Sequence, residues 1–193
     1  MTRIDPVQDK QREVLLQALH DRDVEVRRAA SESLELLQAS ADISALEQAP
    51  QSPERRARVA AAYTLERIHT PQAGTMLREL LEDQDPDVRA VAVQALGARQ
   101  DKSALGALVR CLKAPCPAVA VHAARALAQF RDKRLVPYLS AMCSAENNEL
   151  VCACLEALGC IGDLRAVDVG TKAAIHPDAR VRLSAVRMLG NLH

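Results

Sequence analysis

The chain has 193 residues and 49% hydrophobic content, enough for one ordinary domain or one repeat array with a real core. Its 25 Lys and Arg balance 25 Asp and Glu, and one Phe, two Tyr and no Trp leave little to stack on bases. A formal charge of zero and so few aromatics argue against nucleic-acid binding, whether to duplex or single strand. No apolar run reaches the ~18–20 residues that a bilayer span needs, and Met1-Thr2-Arg3-Ile4-Asp5-Pro6 lacks the charged-then-apolar pattern of a signal peptide. The expected compartment is therefore the cytoplasm, with no membrane partner. There the six cysteines (Cys111, Cys116, Cys143, Cys152, Cys154 and Cys160) are expected as reduced thiols.

Taken in chain order, the elements repeat every 31 residues. A first helix is expected from the opening residues, with residues 1–8 as its extension. Repeats follow at about 9–38, 39–69, 70–100, 101–131, 132–162 and 163–193, forming one domain over 1–193. One Leu column reads Leu34, Leu65, Leu96, Leu127, Leu158 and Leu189, and four positions earlier stand Ala30, Ala61, Ala92, Ala123, Cys154 and Ala185. A second column, Leu15, Leu46, Leu77, Leu108 and Leu139, lapses at Gly170. Each unit holds two patterns with helical three-and-four spacing. The first is seen at Leu105, Leu108, Val109 and Leu112, the second at Val119, Ala123, Ala126, Leu127 and Phe130. Breakers such as Asp85-Pro86-Asp87 and His176-Pro177-Asp178 separate them, because Pro suits a first turn and Asp accepts free N–H groups there. Asp101, Asp132 and Asp163 occupy one column and are expected as caps of the first helix. A 31-residue helix pair cannot bury its apolar stripe alone, so the pairs are expected to stack.

These residues resemble the HEAT repeat, and among such proteins the short 31-residue type also found in phycocyanobilin lyase subunits. The resemblance rests on Asp85-Pro86-Asp87-Val88-Arg89 with Ala92 and Leu96-Gly97, and on Ile161-Gly162-Asp163-Leu164-Arg165-Ala166-Val167. It implies an all-α fold, a right-handed α-solenoid of six two-helix HEAT-like repeats, whose second helices line a surface that holds a protein partner. The family commonly pairs the Arg of the second helix with an acid of the preceding turn. Here Arg27, Arg58, Arg89 and Arg182 stand four residues after Asp23, Glu54, Asp85 and Asp178. Where Arg is lost the acid is lost too, Ala120 with Cys116 and Val151 with Asn147. The expectation is a structural ladder of ion pairs in preference to a phosphate track, with Arg89 held by Asp85 or by the Asp of a neighbouring turn.

The clustered cysteines and His122 suggest a metal site, but the spacing does not suit one. Cys152 and Cys154 lie about 200° apart around a helix axis and cannot chelate one ion together. Cys111, Cys143 and Cys154 fall in columns otherwise held by Leu, Met or Ala, where thiols act as small hydrophobes. Cys116, Cys152 and Cys160 are expected to be accessible, and Cys116 to react with thiol reagents quickly while Cys154 hardly reacts. No metal, cofactor or catalytic residue is expected. The di-iron deoxyhypusine hydroxylases, also of HEAT type, carry adjacent His-Glu pairs on their second helices. The matching positions here read Arg28-Ala29, Val59-Ala60, Ala90-Val91, Val121-His122, Cys152-Ala153 and Leu183-Ser184, so that activity is excluded.

Helical angles place one outward column at Glu32, Tyr63, Gln94, Arg125, Glu156 and Arg187, changing type at every step. Its neighbour, with Val59, Val121, Cys152 and Leu183, is mostly apolar and is either part of a binding groove or partly covered by adjacent second helices. Glu32, Val59, Tyr63, Gln94, Val121, Arg125, Cys152, Glu156 and Arg187 are the candidate partner-binding residues. The leading expectation is a non-catalytic scaffold or adaptor for another protein. The alternative is a bilin-lyase-like subunit acting on a tetrapyrrole and its carrier protein. The first repeat presents Gln8, Lys10, Gln11, Arg12 and Gln17 to solvent. The last ends in Leu183, Val186, Met188, Leu189 and Leu192, so Val186 is expected in an exposed apolar patch that marks either self-association or a cut from a longer array.

Overall fold

The computed structural model describes residues 6–193, which hold eleven α-helices with short 3-10 turns between them and no strand. The chain divides into two compact units, one ending at Gln48 and the other spanning Ala49–His193. The first contains α1 (Pro6–Ala18) packed on α2 (Val24–Leu46). Asp23 caps α2, its Oδ1 accepting from the Glu25 N–H at 2.7 Å. The extension of the first helix expected over residues 1–8 begins at Pro6; residues 1–5, and the side chain of Gln8, lie outside the described residues.

The expected boundary between residues 38 and 39 falls inside α2. Residues 38–46 contain neither Gly nor Pro, so nothing stops the helix where later repeats stop theirs. The helix expected around Leu46 is thus the end of α2, followed by a 3-10 turn at Ala49–Gln51.

The second unit is an α-solenoid. It opens with that turn and α3 (Arg55–Arg67), then repeats a helix pair four times. The pairs are α4 (Pro71–Leu80) with α5 (Pro86–Ala98), and α6 (Leu105–Cys111) with α7 (Pro117–Ala128). They continue with α8 (Val136–Met142) and α9 (Asn148–Ile161), then α10 (Val167–Ala173) and α11 (Ala179–Gly190). Each first helix packs on its own second helix, and the second helices pack in succession, α3 on α5, α5 on α7, α7 on α9 and α9 on α11. The last three first helices are entered through 3-10 turns capped by the Asp column. Asp101, Asp132 and Asp163 accept from the N–H two residues on, at 2.9, 2.8 and 2.9 Å. The preceding residues Gln100, Arg131 and Gly162 all adopt left-handed backbone with φ of 50°, 48° and 70°. This column reverses the chain from second helix to next turn.

The small-residue column (Ala30, Ala61, Ala92, Ala123, Cys154, Ala185) is buried in both units. Leu65, Leu96, Leu127 and Leu158 are fully buried, while Leu34 and Leu189 at the outer pairs are half-buried. Gly97 explains the Leu-Gly doublet, since a Cβ there would meet Ala126 Cβ at 2.6 Å and Cα at 2.8 Å. The lapse of the second Leu column at Gly170 has a local cause as well. A Cβ there would collide with Met188 Cε and stand 2.7 Å from Leu189 Cδ2, so those chains fill the space Leu occupies elsewhere.

The capping carboxylates make the fold acid-sensitive. Hydrogen bonds from the Arg134 side chain and backbone hold Asp132 down to about 2, and the matching bonds from Arg165 and Arg180 push Asp163 and Asp178 lower still. These groups titrate lower in the folded chain than in the unfolded one. Their stabilisation is therefore complete above the ordinary carboxylate value of about 3.9 and is lost as pH falls through the folded values. Urea unfolding midpoints should be flat from pH 7 to about 5 and fall steeply toward about pH 2. An unchanged midpoint at the acid end would contradict this role of the caps.

Candidate interaction surface

The Arg column is bonded differently from the expected ladder. Arg27 Nη1 donates to Asp21 O at 2.8 Å and Arg22 O at 3.0 Å. Arg89 Nη1 donates to Asp83 O at 2.6 Å and Gln84 O at 3.0 Å, and Arg182 Nη1 to His176 O and Pro177 O, both at 2.7 Å. Arg58 follows the same rule, with Ser52 O at 3.0 Å and Pro53 O at 3.2 Å. Each guanidinium thus ties down the carbonyls five and six residues before it. The acids four residues before do something else: Asp23, Asp85 and Asp178 cap their helices, while Glu54 makes no side-chain cap bond. The two roles share one turn but are separable, since Asn147 still caps its helix, accepting from the Leu150 N–H at 3.0 Å, where Val151 replaces the Arg.

An acid does reach one Arg. Arg58 Nε and Nη2 donate to Asp83 Oδ2 at 2.6 Å and Oδ1 at 3.0 Å, with both side chains almost wholly buried. Burial pushes the Asp83 carboxyl up, but the bonds from Arg58 and from the Asp85 N–H outweigh it and leave it below the usual carboxylate range. Turns of successive repeats are also joined directly. Arg55 reaches Asp85 at 3.3 Å and also Asp87, and Asn148 Nδ2 donates to Asp178 Oδ2 at 2.9 Å. Arg99, which no repeat pattern marks, donates to Leu65 O, Ile68 O and Thr70 O and closes the end of α3.

The outward column lies where the helical angles put it. Glu32 is exposed in the first unit, and Tyr63, Gln94, Arg125, Glu156 and Arg187 are exposed in the second. The neighbouring strip takes the covered one of its two readings. Val121 is 2% exposed, because the second helices on either side close over it, and Val59 and Cys152 are half-buried. Leu183 alone in this strip stands open, at 51%. The strip is therefore mostly packing, and Val121 is a core residue, not a contact residue.

Two polar partners join the column across repeats. The Gln94 amide donates to His122 Nδ1 at 2.8 Å, and Arg125 lies 3.7 Å from Glu149. Burial first, then the Arg125 charge, lowers the His122 pKa against the opposing pull of Glu149, so the ring is neutral at pH 7 and accepts from Gln94. The Arg125–Glu149 pair is exposed on both sides and adds little to stability. At the other end, Arg55, Arg56, Val59, Ala60 and Tyr63 line a shallow depression of about 310 Å³ on α3.

A family model described as HEAT repeats matches residues 12–97 and 75–153. The chain belongs to the HEAT-repeat family. A solved structure similar to it is the complex of CpcE and CpcF of phycocyanin lyase from Nostoc sp. PCC7120, at 27% identity and a TM-score of 0.66. That match covers 75% of this chain, which spans only 62% of that lyase chain. An engineered protein at 22% identity, covered over 94% of this chain and 96% of its own, superposes with a TM-score of 0.58. YibA of Escherichia coli, at 23% identity, gives 0.56 over 98% of this chain and 71% of its own. The last two speak to the fold alone. No curated protein matches the sequence.

In this HEAT array the cysteines sort by depth. Cys154 is buried, Cys111, Cys116, Cys143 and Cys152 are half-buried, and Cys160 is exposed. Burial pushes the Cys143 thiol up to about 12 and Cys154 further, and burial followed by Glu82 raises Cys111. Among the described residues no group of three His, Cys, Asp or Glu side chains is placed to hold a metal ion. No helix there is long and apolar enough to cross a membrane. Thiol titration at pH 8 should label Cys160 first, then Cys116 and Cys152, with Cys143 and Cys154 last by orders of magnitude. Equal rates at Cys160 and Cys154 would contradict the packing.

Proposed function

We propose that this HEAT-repeat protein is a non-catalytic scaffold that holds another protein on the exposed side of its second helices. The observation that carries this reading is the outward column: every member is exposed, and its residue type changes from repeat to repeat while the packing columns hold constant. A surface freed from packing and varied along its length suits an extended or helical segment of a partner, with Tyr63 as an aromatic anchor and Arg125, Glu149 and Glu156 as polar contacts. In the test, native-source partners are captured on wild-type protein and on Tyr63→Asp and Arg125→Glu variants with unchanged circular dichroism. A partner held by the wild type and lost from both variants supports the reading. Retention by both variants overturns it.

A second reading is favoured by the likeness to the phycocyanin lyase complex: a bilin-lyase-like subunit acting on a tetrapyrrole and its carrier protein. Mixing the protein with a bilin should then shift the visible absorbance, and captured partners should include light-harvesting proteins. No spectral change across stoichiometric bilin would remove this reading and leave the scaffold.

A further inference from the structure

Independently of what the outward column binds, α2 and α11 present complementary halves of the interface that stacks the second helices of the second unit. The interior stacking shows which columns face forward and which face back. Gln94 and Arg125, in one column, reach forward to His122 and Glu149 of the next second helix. Gly97 and Gly159, in another, receive Ala126 and Met188, the backbone of Met188 standing 3.2 Å from a Cβ placed on Gly159. The forward face is completed by the apolar column Ala62, Val93, Ala124 and Leu155, each fully buried.

On α11 this forward face is uncovered. Val186 is 60% exposed where every counterpart in the second unit is fully buried, and a Cβ added to Gly190, in the close-approach column, would meet nothing within 4 Å. Arg187 occupies the Arg125 column and has no acidic partner among the described residues. A helix able to cover this face needs an acid in its first turn, at the Glu149 position. It also needs an apolar residue beside the acid and, eight positions later, a residue that can approach Gly190 as Ala126 approaches Gly97.

Helix α2 has that pattern. Glu25 stands at the Glu149 position, Ser33 follows eight positions later in the Ala126 column, and Val26 supplies the apolar side chain. Val26 is 41% exposed although its counterparts Val88, Val119, Leu150 and Val181 are buried, and Glu25 and Ala29 are exposed too. Helix α3 does not fit, because Arg56 takes the Glu149 position and would repel Arg187. We propose that α2 of a second copy of this chain docks on α11, with Glu25 against Arg187, Ser33 over Gly190, and Val26 on Leu183 and Val186. The contact is head-to-tail, so it leaves a free end on each copy and builds rings or open strings rather than a symmetric dimer.

Light scattering coupled to gel filtration, run across micromolar concentrations on the full chain, tests this. The wild-type mass should rise with concentration, and Gly190→Leu, Val186→Glu and Glu25→Arg should each remain at one copy. Gly190→Leu adds side chain into open space, so its loss of association cannot be ascribed to misfolding. Mixing Val186→Glu with Glu25→Arg restores one intact end on each copy and should give a one-to-one dimer. A wild-type mass fixed at one copy would overturn the proposal. Continued association of Glu25→Arg alone would overturn it in favour of a symmetric contact through α11.

Discussion

Replacing Asp83 by Ala is expected to lower the unfolding free energy of the second unit by about 3 kcal/mol, because it breaks a buried ion pair from one side. The fork of Arg58 grips both oxygens of Asp83, and the same carboxylate accepts from the Asp85 N–H at 2.8 Å. Removing it leaves an Arg58 side chain that is 7% exposed without two of its four hydrogen bonds, and frees the turn that leads into α5. Replacing both partners, Arg58→Met with Asp83→Ala, should cost clearly less than Asp83→Ala alone, since no buried charge is then left unpaired. Urea unfolding of the two variants and the wild type measures the difference. A double variant less stable than the single one would show that the pair contributes through something other than its mutual satisfaction.

Two identical substitutions should differ in sign. Gly97→Ala should destabilise the protein by about 2 kcal/mol, because the new methyl meets the backbone of α7, which must move away. Gly106→Ala, in α6, has nothing within 4 Å and should stabilise by about 0.5–1 kcal/mol through helix propensity alone. Propensity predicts the same gain at both positions, so the measured signs isolate the close approach of α5 and α7. Two gains of equal size would contradict that approach.

The stacking was legible in the sequence because packing constrains it at every repeat. In the second unit the Ala92 column can only be small where second helices meet, and Leu96 and its counterparts can only be large where they fill the layer. The Arg column was visible for the same reason, but its partners were not. A constant offset between Asp85 and Arg89 is equally well produced by a cap and a carbonyl clamp that share a turn, and only the positions of the donors distinguish them. The long run of α2 was hidden because periodic columns continue through residues 38–46 whether or not the helix breaks there. In the outward column, exposure followed from helical angle alone. The burial of Val121 and the Gln94–His122 bond depend on how neighbouring helices meet, which no single-helix angle contains. Arg99 gave no signal because Ile68, Phe130 and Ile161 occupy its column elsewhere.

If partners are held by the second-helix side of the array, a photo-reactive amino acid on that side must reach them. It is placed at Glu156 on α9 and, as the control, at Lys172 on α10, both exposed. Irradiation in the native source should give a cross-linked partner protein from position 156 and none from position 172. Cross-links from 172 alone, or equally from both positions, would contradict binding on the second-helix side.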